Sequence, residues 1–260
     1  MTVTISDVIK QLTKSITPIE NSVDKLLYGK SEKVVSKLAF CFMPTFEVLQ
    51  QAVDKDVNLL ICHEGLFHSH TKKELSSVAE KKIHLIESSG IAIFRLHDYV
   101  HRYKPDGIME GMLHKLEWKK YVEINYPTAT TLNLPSMTVG KVINDVKRKL
   151  NIPYVRYVGN LSTTCKRAGI LVGYRGSGSR VIPLFENNKL DLVIYGEGPE
   201  WETPEYVRDA NSQGIEKALI ILGHAESEEP GMEFMAEYIQ KAIPQISVSF
   251  ISSKSYIHVL

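Results

Sequence analysis

The 260-residue chain carries only three cysteines, Cys41, Cys62 and Cys165, and no two of them share a C-x-x-C spacing. An odd, scattered set of thiols argues against a disulfide framework and points to a reducing compartment. Long apolar runs are also missing. None approaches the ~18 residues of a membrane span, and the N-terminal MTVTISDVIKQLTKSI is a polar amphipathic helix without the apolar core of a signal peptide. Charge of one sign is missing too. The net charge of +1 supplies no general attraction to nucleic acid, and the basic run Lys147-Arg148-Lys149 reads as the solvated face of a helix. There is no low-complexity segment and no short repeat. The expectation is a soluble, cytoplasmic protein with neither a membrane nor a nucleic acid as its partner.

What is present is ordinary globular composition, 43% hydrophobic and 23% charged, enough for a real core and too apolar for extended disorder. The length suits one large α/β domain or two intertwined smaller ones. Short apolar, β-rich runs lie at Val34–Phe42, Val57–Cys62, Ile91–Leu96, Tyr154–Gly159, Ala168–Gly173, Asp191–Tyr195, Ala218–Leu222 and Ile246–Ile251. Between them, apolar residues recur three and four apart, as in Phe46, Leu49 and Val53, or Ile143, Val146 and Leu150. Thr138 is the expected N-cap of the helix through Leu150. Thr203 is the expected cap of another, with Pro204 at its first position and Gly214 after its end. Gly90 closes a helix that begins near Lys73. This alternation predicts mostly parallel strands flanked by helices, with Glu123–Pro135 as the candidate connection between two halves.

Chemistry-bearing residues gather where these runs end. Val57–Cys62 leads into His63 and Glu64, Ile91–Leu96 into His97 with His101 four residues on, and Ala218–Leu222 into His224 with Glu228 four residues on. In an open parallel sheet the loops after the strands converge on one edge, where ligands bind. A spacing of four places each pair on one face of a helical turn. Imidazole together with carboxylate suits zinc, iron or manganese. His63, Glu64, His97, His101, His224 and Glu228 exceed what one tetrahedral zinc with an open position needs, so two divalent ions sharing a carboxylate or a water are expected.

Other positions carry two readings each. His68 and His70, close to His63, either support the ligands or meet substrate, whereas His84, His114 and His258 lack the strand-end context and read as structural. Gly176-Ser177-Gly178-Ser179 either cradles a phosphate or makes a tight turn, and it matches neither the dinucleotide nor the P-loop fingerprint. Glu197, after its strand, either orients a ligand histidine, contacts substrate or is solvated. Cys62 alternates away from His63 and is a core residue.

These segments resemble the GTP cyclohydrolase I type 2 homologues, also called the Ngg-interacting-factor-three-like family. The likeness begins at Thr45-Phe46-Glu47-Val48 and Leu59-Leu60-Ile61-Cys62-His63-Glu64. It continues through Arg95-Leu96-His97, Ala168–Ser179 and Asp191-Leu192-Val193-Ile194-Tyr195-Gly196-Glu197, and closes with Gly223-His224-Ala225-Glu226-Ser227-Glu228. The family pattern is a His-His pair, a His with an Asp four residues later, and a Gly-His-x-x-x-Glu. Here Glu64 stands in place of the second His and His101 in place of the Asp, so four imidazoles and two carboxylates remain. The resemblance implies an α/β fold of two similar intertwined lobes, with mixed, mostly parallel sheets flanked by helices and a metal site between the lobes. The first lobe would comprise residues 1–122 and 236–260 and the second 123–235, without an inserted mid-chain domain. It also implies a homohexamer.

The expected function is a metal-dependent hydrolase of a nucleotide-like or phosphorylated small molecule, with Arg95, Arg175, Glu197 and His68 as candidate substrate contacts. The alternative is a non-catalytic metal-binding scaffold or metal-handling protein. A DNA-enclosing ring is a third reading, disfavoured by the neutral net charge.

Overall fold

A computed structural model describes residues 2–67, 76–254 and 256–260. His68, His70 and Lys73, singled out above, lie outside the described residues. The chain folds as two compact units, Met1–Gly107 with Gly231–Lys254, and Ile108–Pro230 with Ser255–Leu260. The changes of unit thus fall near residues 107 and 230, against the 122 and 235 expected from sequence, and the C-terminal tail groups with the second unit.

The first unit contains α1 (Ile5–Thr13), β1 (Lys25–Tyr28), β2 (Lys37–Cys41), α2 (Phe46–Asp54), β3 (Leu59–Cys62), α3 (Ser77–Ser89), β4 (Ala92–Arg95) and α4 (Asp98–His101). The short helix α5 (Gly107–Lys115) follows at the change of unit. The second unit contains β5 (Val122–Asn125), β6 (Thr130–Thr138), α6 (Val139–Leu150), β7 (Arg156–Val158), β8 (Thr164–Leu171), α7 (Gly178–Asn187), β9 (Leu192–Tyr195), α8 (Thr203–Ser212) and β10 (Ala218–Ile221). The long helix α9 (His224–Ala242) starts in the second unit, and β11 (Ser247–Phe250) completes the first.

The first sheet has the order β1-β4-β3-β2-β11, parallel except for β1. The second has the order β5-β6-β8-β9-β10-β7, in which β8, β9 and β10 are parallel neighbours and the outer pairings are antiparallel. Every residue of β3, β9 and β10 is buried, as expected of strands covered on both faces. One core packs Ala39, Leu60 and Ile93 against Val48, Leu49 and Ile86. The other packs Leu171, Val193 and Leu219 against Val181, Phe185 and Val207. Among the described residues no helix is long and apolar enough to cross a membrane.

Local signals explain most boundaries. Thr138 caps α6, Ser76 caps α3, and Gly90 ends α3 in the left-handed conformation at φ 64°. Two expectations are corrected. Glu123–Pro135 is no connection but most of β5 and β6, joined by a turn at Tyr126 whose N–H reaches the Ala129 carbonyl. Pro135 is tolerated because it lies where the β6–β8 register shifts, between Asn133 and Met137. Thr203 does not cap α8. Glu202 holds that position, and the Thr203 hydroxyl instead donates to the Gly176 carbonyl at 2.9 Å.

Lys82 of α3 is buried, its ammonium donating to the Leu66 carbonyl at 2.5 Å just beyond the His63-Glu64 turn. Burial lowers its pKa to about 8 against opposing influences from Cys62 and Cys41. The folded state therefore releases this proton at a lower pH than the unfolded chain. Folding is penalised below pH 8, and stability is recovered as pH rises toward 10.5. Compared with Lys82→Met, the wild type should gain up to about 1.4 kcal/mol per pH unit across that window. Urea titrations of both proteins at several pH values test this, and parallel stabilities would refute it.

Candidate metal centre

The first set of side chains sits where β3 and β4 end side by side. Cys62 and Arg95 are paired in register, and the Leu96 N–H extends the ladder by bonding the Cys62 carbonyl at 2.8 Å. His63 therefore emerges next to His97. Residues 98–101 turn helical, which brings His101 back over the same spot. The His63 and His97 rings stack with centroids 4.5 Å apart, and His101 stands edge-on to them at 5.1 and 5.4 Å. One nitrogen from each ring lies within 4.8 Å of the others, a grouping fit to hold a metal ion.

Each ring is oriented through Nδ1. That atom lies 3.0 Å from the Leu96 carbonyl in His63, 3.0 Å from Asp98 Oδ1 in His97, and 2.9 Å from Asp106 Oδ2 in His101. An oxygen acceptor at Nδ1 places the proton there and the lone pair on Nε2, the tautomer a metal requires. Burial, then the charge of His63, depresses the His97 pKa despite the Asp98 hydrogen bond. Both influences disfavour charge on this ring.

Asp24, just before β1, anchors the assembly. Its carboxylate accepts from the N–H groups of His97, Asp98 and Tyr99 at 2.7, 2.9 and 2.8 Å. Asp98 returns the contact by accepting from the Ser22 hydroxyl and the Val23 N–H, both at 3.0 Å. Glu64 is held differently. Its Oε2 accepts from Arg95 Nη2 at 3.1 Å, and its Oε1 lies 3.8 Å from His97 Nε2. Arg95 also donates through Nε to the His63 carbonyl.

The second set sits at the ends of β8, β9 and β10. The ladder again continues past the strands, with Gly196 N–H on Leu171 O, Leu222 N–H on Tyr195 O and Gly223 N–H on Gly196 O. His224 opens α9, and Glu228 follows one turn later with its side chain 3% exposed. Glu197 Oε1 lies 2.8 Å from His224 Nδ1, and Glu228 Oε2 lies 3.1 Å from Nε2. Gly173, at φ 63°, is required here, because a Cβ would stand 2.2 Å from Glu228 Oε1. Its N–H donates to the buried Ser227 hydroxyl, which in turn donates to the His224 carbonyl.

Burial works against charge on His224, but the hydrogen bonds to Glu197 and Glu228 outweigh it and push its pKa up to about 10. The His224 hydrogen bond in turn lowers the Glu197 pKa. Since the histidine's pKa is raised, its contribution to folding is complete below pH 6.5 and is lost as pH climbs through about 10.

The structure thus gathers His63, His97 and His101 in one set with Glu64 at their side, and His224 and Glu228 in the other. Glu197 orients His224. Arg175, half-buried, follows Gly173 by two residues. The Gly176–Ser179 segment is the closely packed lead-in and first residues of α7. Gly178 N–H donates to Glu202 Oε2, and a Cβ on Gly176 would meet the Glu197 carbonyl at 2.7 Å and the Tyr195 ring at 2.8 Å. Sequence reasoning missed the supporting residues Asp24, Asp106, Ser227 and Gly173. Asp24 precedes a strand too short to read, and the others have no spacing rule. Replacing Asp24 with Ala should cost about 1–3 kcal/mol of stability by stripping three amides of their acceptor. An unchanged denaturation midpoint would show that water serves those amides equally well.

The model of the Duf34/NIF3 (NGG1p interacting factor 3) family matches residues 3–256. A GTP cyclohydrolase 1 type 2 homolog of Clostridium acetobutylicum is 24% identical over 235 residues, covering 86% of this chain and 84% of the relative. The hypothetical protein SA1388 of Staphylococcus aureus superposes with a TM-score of 0.77 at 18% identity, covering both chains completely. A Bacillus cereus protein related to NIF3 does so with 0.75 at 14% identity, over 99% of each chain. These two share the fold of alternating strands and helices in two sheets. Matched from one end almost to the other, the chain belongs to the Duf34/NIF3 family.

Proposed function

We propose that this protein is a metal-dependent hydrolase of a nucleotide-like or otherwise phosphorylated small molecule. Its cofactors in this reading are two divalent ions, of zinc, iron or manganese, with His63, Glu64, His97, His101, His224 and Glu228 as ligands. One observation carries the proposal: all four histidines have Nδ1 at 2.8–3.0 Å from a carbonyl or carboxylate oxygen. Buried histidines in a core need one such bond at most. Three of the four follow within three residues of parallel strand ends, His101 lies at the end of α4, and Glu64 and Glu228 stand beside His97 and His224, a donor set suited to borderline divalent cations. Such ions, when bound, lower the pKa of a water and stabilise developing negative charge on an oxygen.

The chain's own groups have defined tasks. Asp98, Asp106 and Glu197 hold His97, His101 and His224 in the coordinating orientation. When no cation is present, Glu197 accepts from Nδ1–H and Glu228 from Nε2–H of the protonated His224 ring. Arg175 is the side chain assigned to substrate phosphate in this reading. The curated relative's name, GTP cyclohydrolase 1 type 2 homolog, is compatible with a nucleotide substrate.

The His224 proton makes the ligand assignment testable. With a pKa of about 10, the ring carries this proton at pH 7 and must release it to bind a cation. Calorimetric titration with zinc in buffers of differing ionisation enthalpy should show proton release. Affinity should rise up to tenfold per pH unit below 10. Proton-independent binding would remove His224 from the ligand set.

Turnover is the second test. Metal-loaded protein should hydrolyse at least one member of a panel of nucleotides and sugar phosphates, and His63→Ala and His224→Ala should each reduce the rate at least 100-fold. Activity surviving both changes together would place the chemistry elsewhere. No turnover, combined with a fall in melting temperature on chelation, would establish the scaffold reading instead.

A further inference from the structure

We infer that Arg95 is a positioning residue that clamps one oxygen of Glu64 and turns the other toward the cations, an inference that rests on the metal-binding reading above. Arg95 ends β4 opposite Cys62 of β3, so its side chain starts level with the residue that precedes His63. From there the guanidinium serves two acceptors at once. Nε donates to the His63 carbonyl at 3.2 Å and Nη2 to Glu64 Oε2 at 3.1 Å. The guanidinium also passes close to Gly65, where a Cβ would lie in ordinary contact with Nη1 at 3.6 Å. The Arg95 and Glu64 side chains are only 11% and 13% exposed, which sets the pair apart from solvent-screened surface ion pairs.

The consequence lies in the two oxygens of Glu64. Oε2 is taken by Arg95, whereas Oε1 lies 3.8 Å from His97 Nε2, the nitrogen left with the lone pair by the Asp98 bond. A carboxylate gripped in this way presents a single oxygen in a fixed direction and carries part of its charge already neutralised. Arg95 is thereby committed inward, to the loop that bears two ligands, rather than outward to substrate. Lysine could not replace it, because an ammonium is a point charge and lacks the planar fork that spans both acceptors.

The test is a double-mutant cycle on the full chain, with Arg95→Met, Glu64→Gln and the double variant, each checked for folding by circular dichroism. Zinc affinity is measured by chelator competition, and the visible spectrum of the cobalt(II) form reports coordination geometry. Arg95→Met should weaken binding of one ion about 10- to 100-fold and shift the cobalt spectrum toward that of Glu64→Gln. Adding Glu64→Gln to Arg95→Met should cost nothing further. If Arg95→Met does not fold, Arg95→Lys carries the same expectations. Wild-type affinity and spectrum in the Arg95 variant, tighter binding, or additive losses would overturn the inference while leaving the metal reading intact. A wild-type protein that binds neither zinc nor cobalt would sink the metal reading itself.

Discussion

Parallel strands that stop level with one another are the constraint on which the candidate centre depends. Cys62 and Arg95 face each other at the ends of β3 and β4, and Leu171, Tyr195 and Ile221 face one another across β8, β9 and β10. Backbone hydrogen bonds then continue the ladder for a step or two beyond the strands, so the first loop residues inherit the rigidity of the sheet. A side chain placed there has its Cα position set by the register before any side-chain contact is made. Precise imidazole placement needs that kind of support, and a free loop would not provide it.

Within that frame the two sets solve opposite electrostatic problems. The first crowds three imidazoles together, and burial with the nearby His63 ring lowers the His97 pKa. The second surrounds one imidazole with two carboxylates, and His224 holds its proton far above the ordinary range. In the first set the carboxylates Asp98 and Asp106 lie behind the rings as orienting acceptors. In the second, Glu228 stands in front, at Nε2. The first set thus presents mainly imidazole nitrogen, and in the second the charge of two carboxylates is only partly offset by the His224 proton.

Close packing behind these groups restricts the neighbouring sequence. Gly173 and Gly196 cannot carry a side chain, because Cβ atoms there would collide with Glu228 or with the Ser227 hydroxyl. The same argument explains the glycine-rich segment after β8. Its glycines permit the crossing of two loops, with Gly198 against Gly176, and its helix start is already served by Glu202. Within the first unit, Lys82 and Arg95 bring basic groups with little exposure up to the His63-Glu64 turn from α3 and β4. The turn is therefore held at its backbone as well as through its side chains.

Periodicity and strand-end position sufficed to locate the central strands, the edge of the sheet that carries chemistry, and the histidines placed there, because each follows from local spacing within a few residues. Spacing also foretold that His101 and Glu228 would share a helical face with His97 and His224. Tertiary structure alone decided the rest. It showed β5 and β6 as strands, with Pro127 in the turn between them and Pro135 inside β6 where the register with β8 shifts. It brought Asp24 from far upstream to three amides of the His97 turn, and gave Arg95 to Glu64 and His63. Hydrogen-bond partners distant in the chain leave no periodic trace, so beyond Glu197, flagged by its place after a strand, the sequence could name the imidazoles but not the oxygens that orient them.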